Sequence, residues 1–430
     1  MQNKTTAKRD HRRKMLFNNN TPCPGGRKNL LMASLVILQL GTMCFTALGQ
    51  AVTEKSGVSL SKTSKLDQFQ AGYYRMMVGD VPVTALSDGT VGFDILNGIL
   101  LNTKLGQVEK LLDDDYQKSP ISASVNAFLI HIEGKYILVD AGSGELVGPT
   151  ANKLPYSLRA AGVEPEQVSD IFATHIHPDH YGAAGVFAGE GLADLYLHRL
   201  EVPLVYPRYV DVEHLVSEVR TYLLVNGVPD DESEVLSNSQ RALSQIVKPA
   251  VPAVQLDGAE TLEVGRRRLR VEWTPGHSPG HICLYDEGEK VLFAGDHMLP
   301  ELSPNIGLHP QSTPDPLHEY LDGLRRLAGY EPRLILPAHG RPFTDAPSRV
   351  ATLVAHHKKR LDQIAAIVAR GERSAWEVAL ELWGPRDNLY EKRLALQEGL
   401  AHLQALAVDG RLKKFVTPTS VRWRPPSQGS

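Results

Sequence analysis

The residues best suited to chemistry lie in one short segment, 174–180, which reads THIHPDH. It places three histidines and one aspartate within six residues, directly after an apolar β-type run. Because alternate residues at the end of a strand point the same way, His175 and His177 can hold one metal ion. Asp179 and His180 lie on the turn that follows and can reach a second ion.

Three later segments each add one candidate ligand: His277 in TPGHSPGH, Asp296 in FAGDH and His339 in LPAHG. Each lies in a turn at or just beyond the end of a β-type run, where an open α/β fold gathers its ligands. Imidazole and carboxylate donors without a thiolate suit zinc or another first-row divalent ion. Five histidines and two aspartates suffice for two ions that share one aspartate. The alternative is a set of unrelated histidines, which the ordered spacing disfavours.

Such a site predicts hydrolysis. A pair of divalent ions lowers the pKa of bound water towards about 7. Attack on a carbonyl carbon or on phosphorus then needs stabilisation of the developing oxyanion. Asp179 or Asp296 is expected to act as the catalytic proton relay to the leaving group.

The elements that must position these residues are strands, interrupted by one helical region. Residues 211–248 have helical periodicity and separate two strand-rich halves, and further helices are predicted at about 150–162 and 315–328. The β-type runs are VPVTAL (81–86), SVNAFLIHI (124–132), KYILVDAG (135–142), IFATH (171–175), RLRVEW (268–273), HICLYD (281–286), KVLFAGD (290–296) and RLILPAH (333–339).

The last part of the chain, 346–430, predicts a small winged-helix-like module. Three helices are expected at 347–370, 374–383 and 390–408, and a hairpin follows in RLKKFVTPTSVRWR. This part carries 14 basic and eight acidic residues, opposite in sign to the rest of the chain. We expect it to pack as a lid or a homodimer contact, with nucleic-acid binding as the alternative.

The first part of the chain, 1–51, predicts an export signal. It holds eight basic residues and one acidic residue, and an uncharged run from Asn29 to Val52 ends in small residues. A basic start, an apolar middle and a small-residue exit are typical of secretory signals. The alternative is an uncleaved signal anchor, since the run is nearly long enough to span a bilayer. We expect a periplasmic or secreted protein with a polar linker at 52–71, membrane-attached only if the segment is retained.

The composition limits the class of protein. The chain has 430 residues, 42% of them hydrophobic and 22% charged, which excludes disordered, collagen-like and polytopic membrane proteins. The net charge is −3, and because 1–51 is basic the remainder carries −10. The overall field therefore does not attract nucleic acid, and a small-molecule substrate is expected.

The motifs HxHxDH, TPGH, GDH and PAHG, spread over about 72–345, resemble the metallo-β-lactamase superfamily of hydrolases. The resemblance implies an α/β fold, a four-layer αβ/βα sandwich with metals at one edge, and a supporting role for Asp140. It also implies two ligand groups bridged by Asp296: His175, His177 and His277 for the first ion, and Asp179, His180 and His339 for the second.

Within the superfamily the resemblance is split. Residues 72–90 and the first histidine cluster are similar to methyl parathion hydrolase and its lactonase relatives. From about Leu200 onward the chain resembles hydroxyacylglutathione hydrolase-like members with a C-terminal winged-helix-like addition. Zinc β-lactamases lack the bridging aspartate and the dioxygenase branch binds one iron, so the complete ligand set favours a dinuclear hydrolase. Its cofactors are expected to be two Zn²⁺ ions, with Mn²⁺, Fe²⁺ or Co²⁺ as alternatives.

The predicted substrate is a small molecule with an ester-type bond: a lactone, thioester, carboxylic ester or phosphotriester. The alternative is a nuclease or nucleic-acid-binding protein of the same fold that uses the basic C-terminal module. Among other polar residues, we expect His281 to be structural and Cys283 to be a small buried hydrophobe. Asp88 is predicted to lie in a turn, and His356-His357 to be solvated.

Overall fold

The computed structural model describes residues 72–93, 121–144, 150–245 and 247–426, which lie within one compact unit, Phe69–Ser430. The predicted export segment, 1–51, and the whole of the predicted linker, 52–71, lie outside the described residues, so export stays a prediction. Of the helices in the described ranges, none has the length and apolarity needed to cross a membrane.

Within these ranges, seven strands form one mixed sheet. Its first four strands pair antiparallel, and β4 to β7 pair parallel. The antiparallel pair β3 and β4 is joined by a tight turn at Glu133-Gly134, with φ of 49° and 77° at its two residues. In spatial and chain order the strands are β1 (Tyr73–Val78), β2 (Val81–Phe93), β3 (Ile121–Ile132), β4 (Lys135–Val139), β5 (Val168–Phe172), β6 (Asp194–His198) and β7 (Val254–Leu256).

A second sheet of five strands has the order β12-β11-β10-β9-β8. Every residue of β10 and β11 is buried, as expected for central strands covered on both faces. A separate two-stranded hairpin is formed by β13 and β14. These strands are β8 (Thr261–Val264), β9 (Arg267–Trp273), β10 (Ile282–Asp286), β11 (Val291–Gly295), β12 (Leu334–Pro337), β13 (Lys413–Val416) and β14 (Val421–Arg424).

The helices cover the outer faces of the two sheets and build the C-terminal part of the chain. In chain order they are α1 (Leu154–Ala160), α2 (Pro178–Tyr181), α3 (Ala184–Phe187), α4 (Val202–Tyr209), α5 (Val212–Val225), α6 (Asp230–Asn238), α7 (Gln240–Ser244), α8 (Pro316–Ala328), α9 (Ala346–Ala369), α10 (Ala375–Trp383) and α11 (Leu389–Val408).

Three hydrophobic cores define four layers. Between the sheets, the rings of Phe128 and Phe293 meet edge to face with centroids 5.7 Å apart. Leu158 of α1 packs in the core on the outer face of the first sheet, and Leu324 of α8 in the core on the outer face of the second. The order helix, sheet, sheet, helix is the predicted α/β sandwich.

The C-terminal helices share a fourth core with the helical region of the chain's middle. Leu223 of α5 and Leu236 of α6 belong to the same buried cluster as Trp376 of α10, Leu400 of α11 and Trp423 of β14. The apolar faces of these helices are therefore used in packing within the compact unit.

The prediction that His356-His357 is solvated is wrong for His357. Its side chain is buried and its Nδ1 lies 3.1 Å from Nε2 of His402. The physical reason is helical phase, since His357 follows buried Leu353 by four residues and precedes buried Ile364 by seven. The prediction followed the charge of the neighbouring lysines and not the spacing of the apolar residues.

Trp423→Ala is expected to lower the free energy of unfolding by about 3–5 kcal/mol, because it leaves a cavity in this core. Trp423 is fully buried, and among the described residues no other fully buried side chain is larger. Urea unfolding followed by circular dichroism measures the change. Val416→Ala on the neighbouring strand is the control, because a side chain 78% exposed should change stability by less than about 0.5 kcal/mol. Equal small effects of both variants would show that the hairpin does not hold this core.

Candidate metal centre

The THIHPDH segment joins the end of β5 to the start of α2. His177 is the extended residue before α2, and Pro178 opens the helix, a position that suits its fixed φ. Behind the segment, Asp140 accepts a hydrogen bond from Thr174 N at 2.8 Å and lies 2.9 Å from Nδ1 of His180. Asp140 has a left-handed φ of 64°, so the loop after β4 is held in a specific conformation that orients His180.

Three imidazole nitrogens converge beside this loop. His175 Nε2 lies 2.9 Å from His177 Nδ1, which in turn lies 3.0 Å from His277 Nε2. His277 comes from the loop between β9 and β10. Its Nδ1 lies 2.9 Å from the carbonyl oxygen of Asn305, so Nδ1–H can donate there and Nε2 is free as a ligand.

A second group lies next to the first. His339 Nε2 lies 3.1 Å from Asp179 Oδ2, and His339 Nδ1 lies 2.7 Å from the carbonyl oxygen of Ser124. His180 Nε2 lies 3.6 Å from Asp179 Oδ2. Two nitrogens and a carboxylate oxygen thus point into one space.

Asp296 lies between the two groups. Its Oδ1 lies 3.3 Å from His339 Nε2 and 3.5 Å from His180 Nε2, while its Oδ2 lies 3.4 Å from His277 Nε2. The structure therefore brings all seven residues predicted as ligands together at the edge of the two sheets. That these seven residues are the metal ligands stays a prediction. Their donor atoms can be compared with what a metal ion requires.

The donors fit a divalent cation. Three groups of His and Asp side chains in the described ranges have donor atoms within 4.8 Å of one another. His180 Nε2 and Asp296 Oδ1 are buried and have no hydrogen-bond partner, although buried polar atoms are normally satisfied. A cation with nitrogen and oxygen ligands satisfies both atoms.

Histidine pKa values shift in opposite directions in the two donor groups. Burial and the neighbouring imidazoles hold the pKa values of His175 and His177 well below the ordinary value, so both rings are neutral donors. Burial also acts to lower the pKa of His339, but Asp296 and Asp179 outweigh it and raise that pKa to about 10. The carboxylates thus favour positive charge at the second group. A metal ion must displace protons there, so its affinity falls as the pH falls.

Glu201, at the start of α4, is a site residue that the sequence did not indicate. It is fully buried, and its Oε2 accepts a hydrogen bond from Ile176 N at 3.1 Å. Its Oε1 accepts from Ser278 Oγ at 2.6 Å and from Gly280 N at 2.7 Å. One carboxylate therefore joins the two loops that carry the histidines of the first donor group, His175, His177 and His277. A lone glutamate between a β-type run and a helix gave no signal of this role.

The prediction that Asp88 lies in a turn is wrong. It is a buried residue of β2 at a bulge between Ser87 and Gly89, where Gly89 has a φ of 120° that favours glycine. The Asp88 carboxylate accepts hydrogen bonds from Ser143 N at 2.8 Å and Leu154 N at 2.9 Å. It therefore fixes the loop that also contains Asp140.

The predictions for His281 and Cys283 are confirmed. His281 is buried, its Nε2 accepts a hydrogen bond from Asp296 N at 3.1 Å, and it belongs to none of the three donor groups. Cys283 is buried in β10, and burial raises the pKa of its thiol to about 12. A thiol with that pKa is not a nucleophile at neutral pH.

Comparison with known families decides the assignment. The model of the metallo-beta-lactamase superfamily matches residues 123–339, a range that contains all seven converging residues. The chain belongs to the metallo-beta-lactamase superfamily. The predicted family, fold class and enzyme class, a metal-dependent hydrolase of this superfamily, are confirmed.

Individual relatives agree with this membership of the metallo-beta-lactamase superfamily. The probable metallo-hydrolase YqjP of Bacillus subtilis is 25% identical over 292 residues, which cover 65% of this chain and 86% of that protein. The atrochrysone carboxyl ACP thioesterase of Passalora fulva is 25% identical over 308 residues, 69% of this chain and 75% of that protein. A metallo-beta-lactamase family protein of known structure from Thermus thermophilus is 34% identical, with a TM-score of 0.60 and coverage of 70% of this chain and 94% of that one.

Proposed function

We propose that this chain is a dinuclear metal-dependent hydrolase of ester-type bonds in a small molecule, with thioesters as the favoured class. The observation that carries the proposal is the position of Asp296, whose two oxygens face the histidines of both donor groups. The name of the fungal relative, an acyl carrier protein thioesterase, supports a thioester over a lactone, carboxylic ester or phosphotriester.

The mechanism assigns separate work to the side chains. Bound divalent ions would supply Lewis acidity and a water of lowered pKa. The six other predicted ligands would hold the ions. Asp296, which faces both donor groups, would fix the distance between these groups. Asp179 is better placed than Asp296 to pass a proton from its Oδ2 to the leaving group, because its side chain is 27% exposed and that of Asp296 only 9%.

The C-terminal part, 346–430, packs against the middle of the chain in this proposal. The apolar faces of α9, α10 and α11 pack in the core shared with α5 and α6, which supports a packing role for this part. The alternative, nucleic-acid binding through 346–430, is opposed by the net charge of −10 on residues 52–430.

The test is hydrolysis of a thioester panel by the purified, Zn²⁺- or Mn²⁺-loaded protein, with thiol release followed by a chromogenic disulfide. Treatment with a chelator is expected to abolish activity, and added metal to restore it, because the donor groups lose their function without a cation. The paired variant His175→Ala/His177→Ala is the control. Full activity in that variant after metal removal would overturn the proposal.

A further inference from the structure

Arg393, on α11, is a partly buried arginine that lacks a carboxylate partner among the described residues. Its Nε is inaccessible to solvent and makes no hydrogen bond. Among the described residues it forms no ion pair, and its guanidinium carbon lies 5.4 Å from the centroid of the Tyr390 ring. A buried N–H donor without an acceptor is costly, and an anion that accepts from the guanidinium would remove this cost.

The neighbouring cation on the same helix is paired. Lys392 Nζ lies 2.9 Å and 3.0 Å from the two carboxylate oxygens of Glu232. Just before the helix, Arg386 is paired with Glu391 at 3.0 Å. Arg393 therefore differs from both neighbouring cations, because no carboxylate in the described ranges pairs with it. This difference points to a partner outside this chain.

A second guanidinium, that of Arg208, contacts the loop 305–311, which also contacts α11. Arg208 of α4 donates from Nε and Nη2 to Oε1 of Gln311, at 3.1 Å and 2.8 Å, and in the described ranges it pairs with no carboxylate. Burial and the charge of Arg208 hold the pKa of Arg393 below its ordinary value. Burial and both guanidinium groups also lower the pKa of His309 to about 3. Both guanidinium groups therefore act on the same histidine of loop 305–311, and neither has a carboxylate partner in the described ranges.

This region borders the metal centre through one loop. Asn305 O lies 2.9 Å from Nδ1 of His277, and Asn305 Nδ2 donates to the carbonyl of Leu394 at 3.3 Å. Three residues further on, Leu308 N donates to the carbonyl of Gln397 at 3.0 Å. The turn of α11 that carries Arg393 is thus attached to the partner of a predicted metal ligand.

Building on the proposed function, we propose that Arg393 and Arg208 bind an anionic group of the substrate, a carboxylate or a phosphate, beside the metal centre. A guanidinium binds either oxyanion through paired N–H donors. Two such groups with no carboxylate partner select a charged substrate over a neutral one. The substrate class is therefore an anionic thioester or ester, and the C-terminal part contributes to its recognition.

Matched thioester pairs test this selectivity. One pair is an acyl thioester of 3-mercaptopropionate and of its methyl ester; the other is acyl-4′-phosphopantetheine and acyl-pantetheine. Arg393→Met is expected to lower kcat/KM for a charged member by about 10- to 100-fold, mainly through KM, as for loss of a hydrogen bond to a charged group. Arg208→Met should act in the same direction, and the neutral members should change by less than about twofold. The pair that responds distinguishes carboxylate from phosphate.

Lys392→Met is the matched control, since it removes a paired cation from the neighbouring position. Equal effects of Arg393→Met on charged and neutral substrates would overturn the anion site while leaving hydrolysis intact. A second readout is calorimetric binding of glutarate and of inorganic phosphate to the metal-free protein. Binding that depends on Arg393, in a protein that hydrolyses none of the four thioesters, would support the anion site and refute thioesters as the substrate class of the proposed function. Loss of neither binding nor selectivity in Arg393→Met would refute the anion site.

Discussion

Asp296→Asn is expected to reduce kcat/KM by about three orders of magnitude and to reduce the number of metal ions bound per chain. The substitution keeps the shape of the side chain but removes the charge that faces His180, His277 and His339 at 3.3–3.5 Å. A metal Lewis acid contributes several kcal/mol to catalysis, and each 1.4 kcal/mol is a factor of about ten. Steady-state kinetics and metal analysis after gel filtration measure the two effects.

Asp322→Asn is the matched control for this experiment. Asp322 pairs with Arg325 on the surface of α8, and its side chain is 72% exposed, so its charge should matter little. The control variant should keep the activity and metal content of the parent protein. If Asp296→Asn also keeps two ions and its activity, the bridging role of Asp296 is wrong and the two donor groups act independently.

The ligand set could be predicted because its signal is local. His175, His277, Asp296 and His339 each follow a β-type run within a few residues, and a run of this kind is recognisable from its own side chains. The fold then brings the ends of these runs to one edge. The short strand β7, three residues long, was not predicted because so few residues carry no periodicity.

The remaining polar residues depend on partners that are distant in the chain. Asp88 sits in SDGT, a sequence typical of a turn, but its hydrogen-bond partners lie 55 and 66 residues later. Glu201 contacts residues 25, 77 and 79 positions away. His357 differs from both, because its place on the buried face of α9 could be read from helical spacing. Long-range hydrogen bonding leaves no periodic trace, and so it needed the structure.

Glu201→Ala is expected to weaken metal binding by about 10- to 100-fold, the usual cost of losing a residue that orients metal ligands. The carboxylate holds Ile176, between two ligand histidines, and Ser278, next to a third. Its removal also leaves these donors and Gly280 N buried without an acceptor, at about 1–3 kcal/mol each. Competition with a chromophoric chelator measures the Zn²⁺ dissociation constant, and urea unfolding in a chelating buffer measures stability.

Two further variants separate ligand positioning from general stability. Glu213→Ala removes an exposed carboxylate that pairs with Arg241, and should change stability by less than about 1 kcal/mol with no effect on metal affinity. Glu201→Gln keeps the side-chain volume but places an amide NH₂ against an N–H donor, so its metal affinity should fall between those of the parent and Glu201→Ala. If Glu201→Ala lowers stability but leaves the Zn²⁺ dissociation constant unchanged, Glu201 supports the fold alone. Loss of affinity with the graded order described here instead means that one buried carboxylate sets the distance between the histidines of the first donor group.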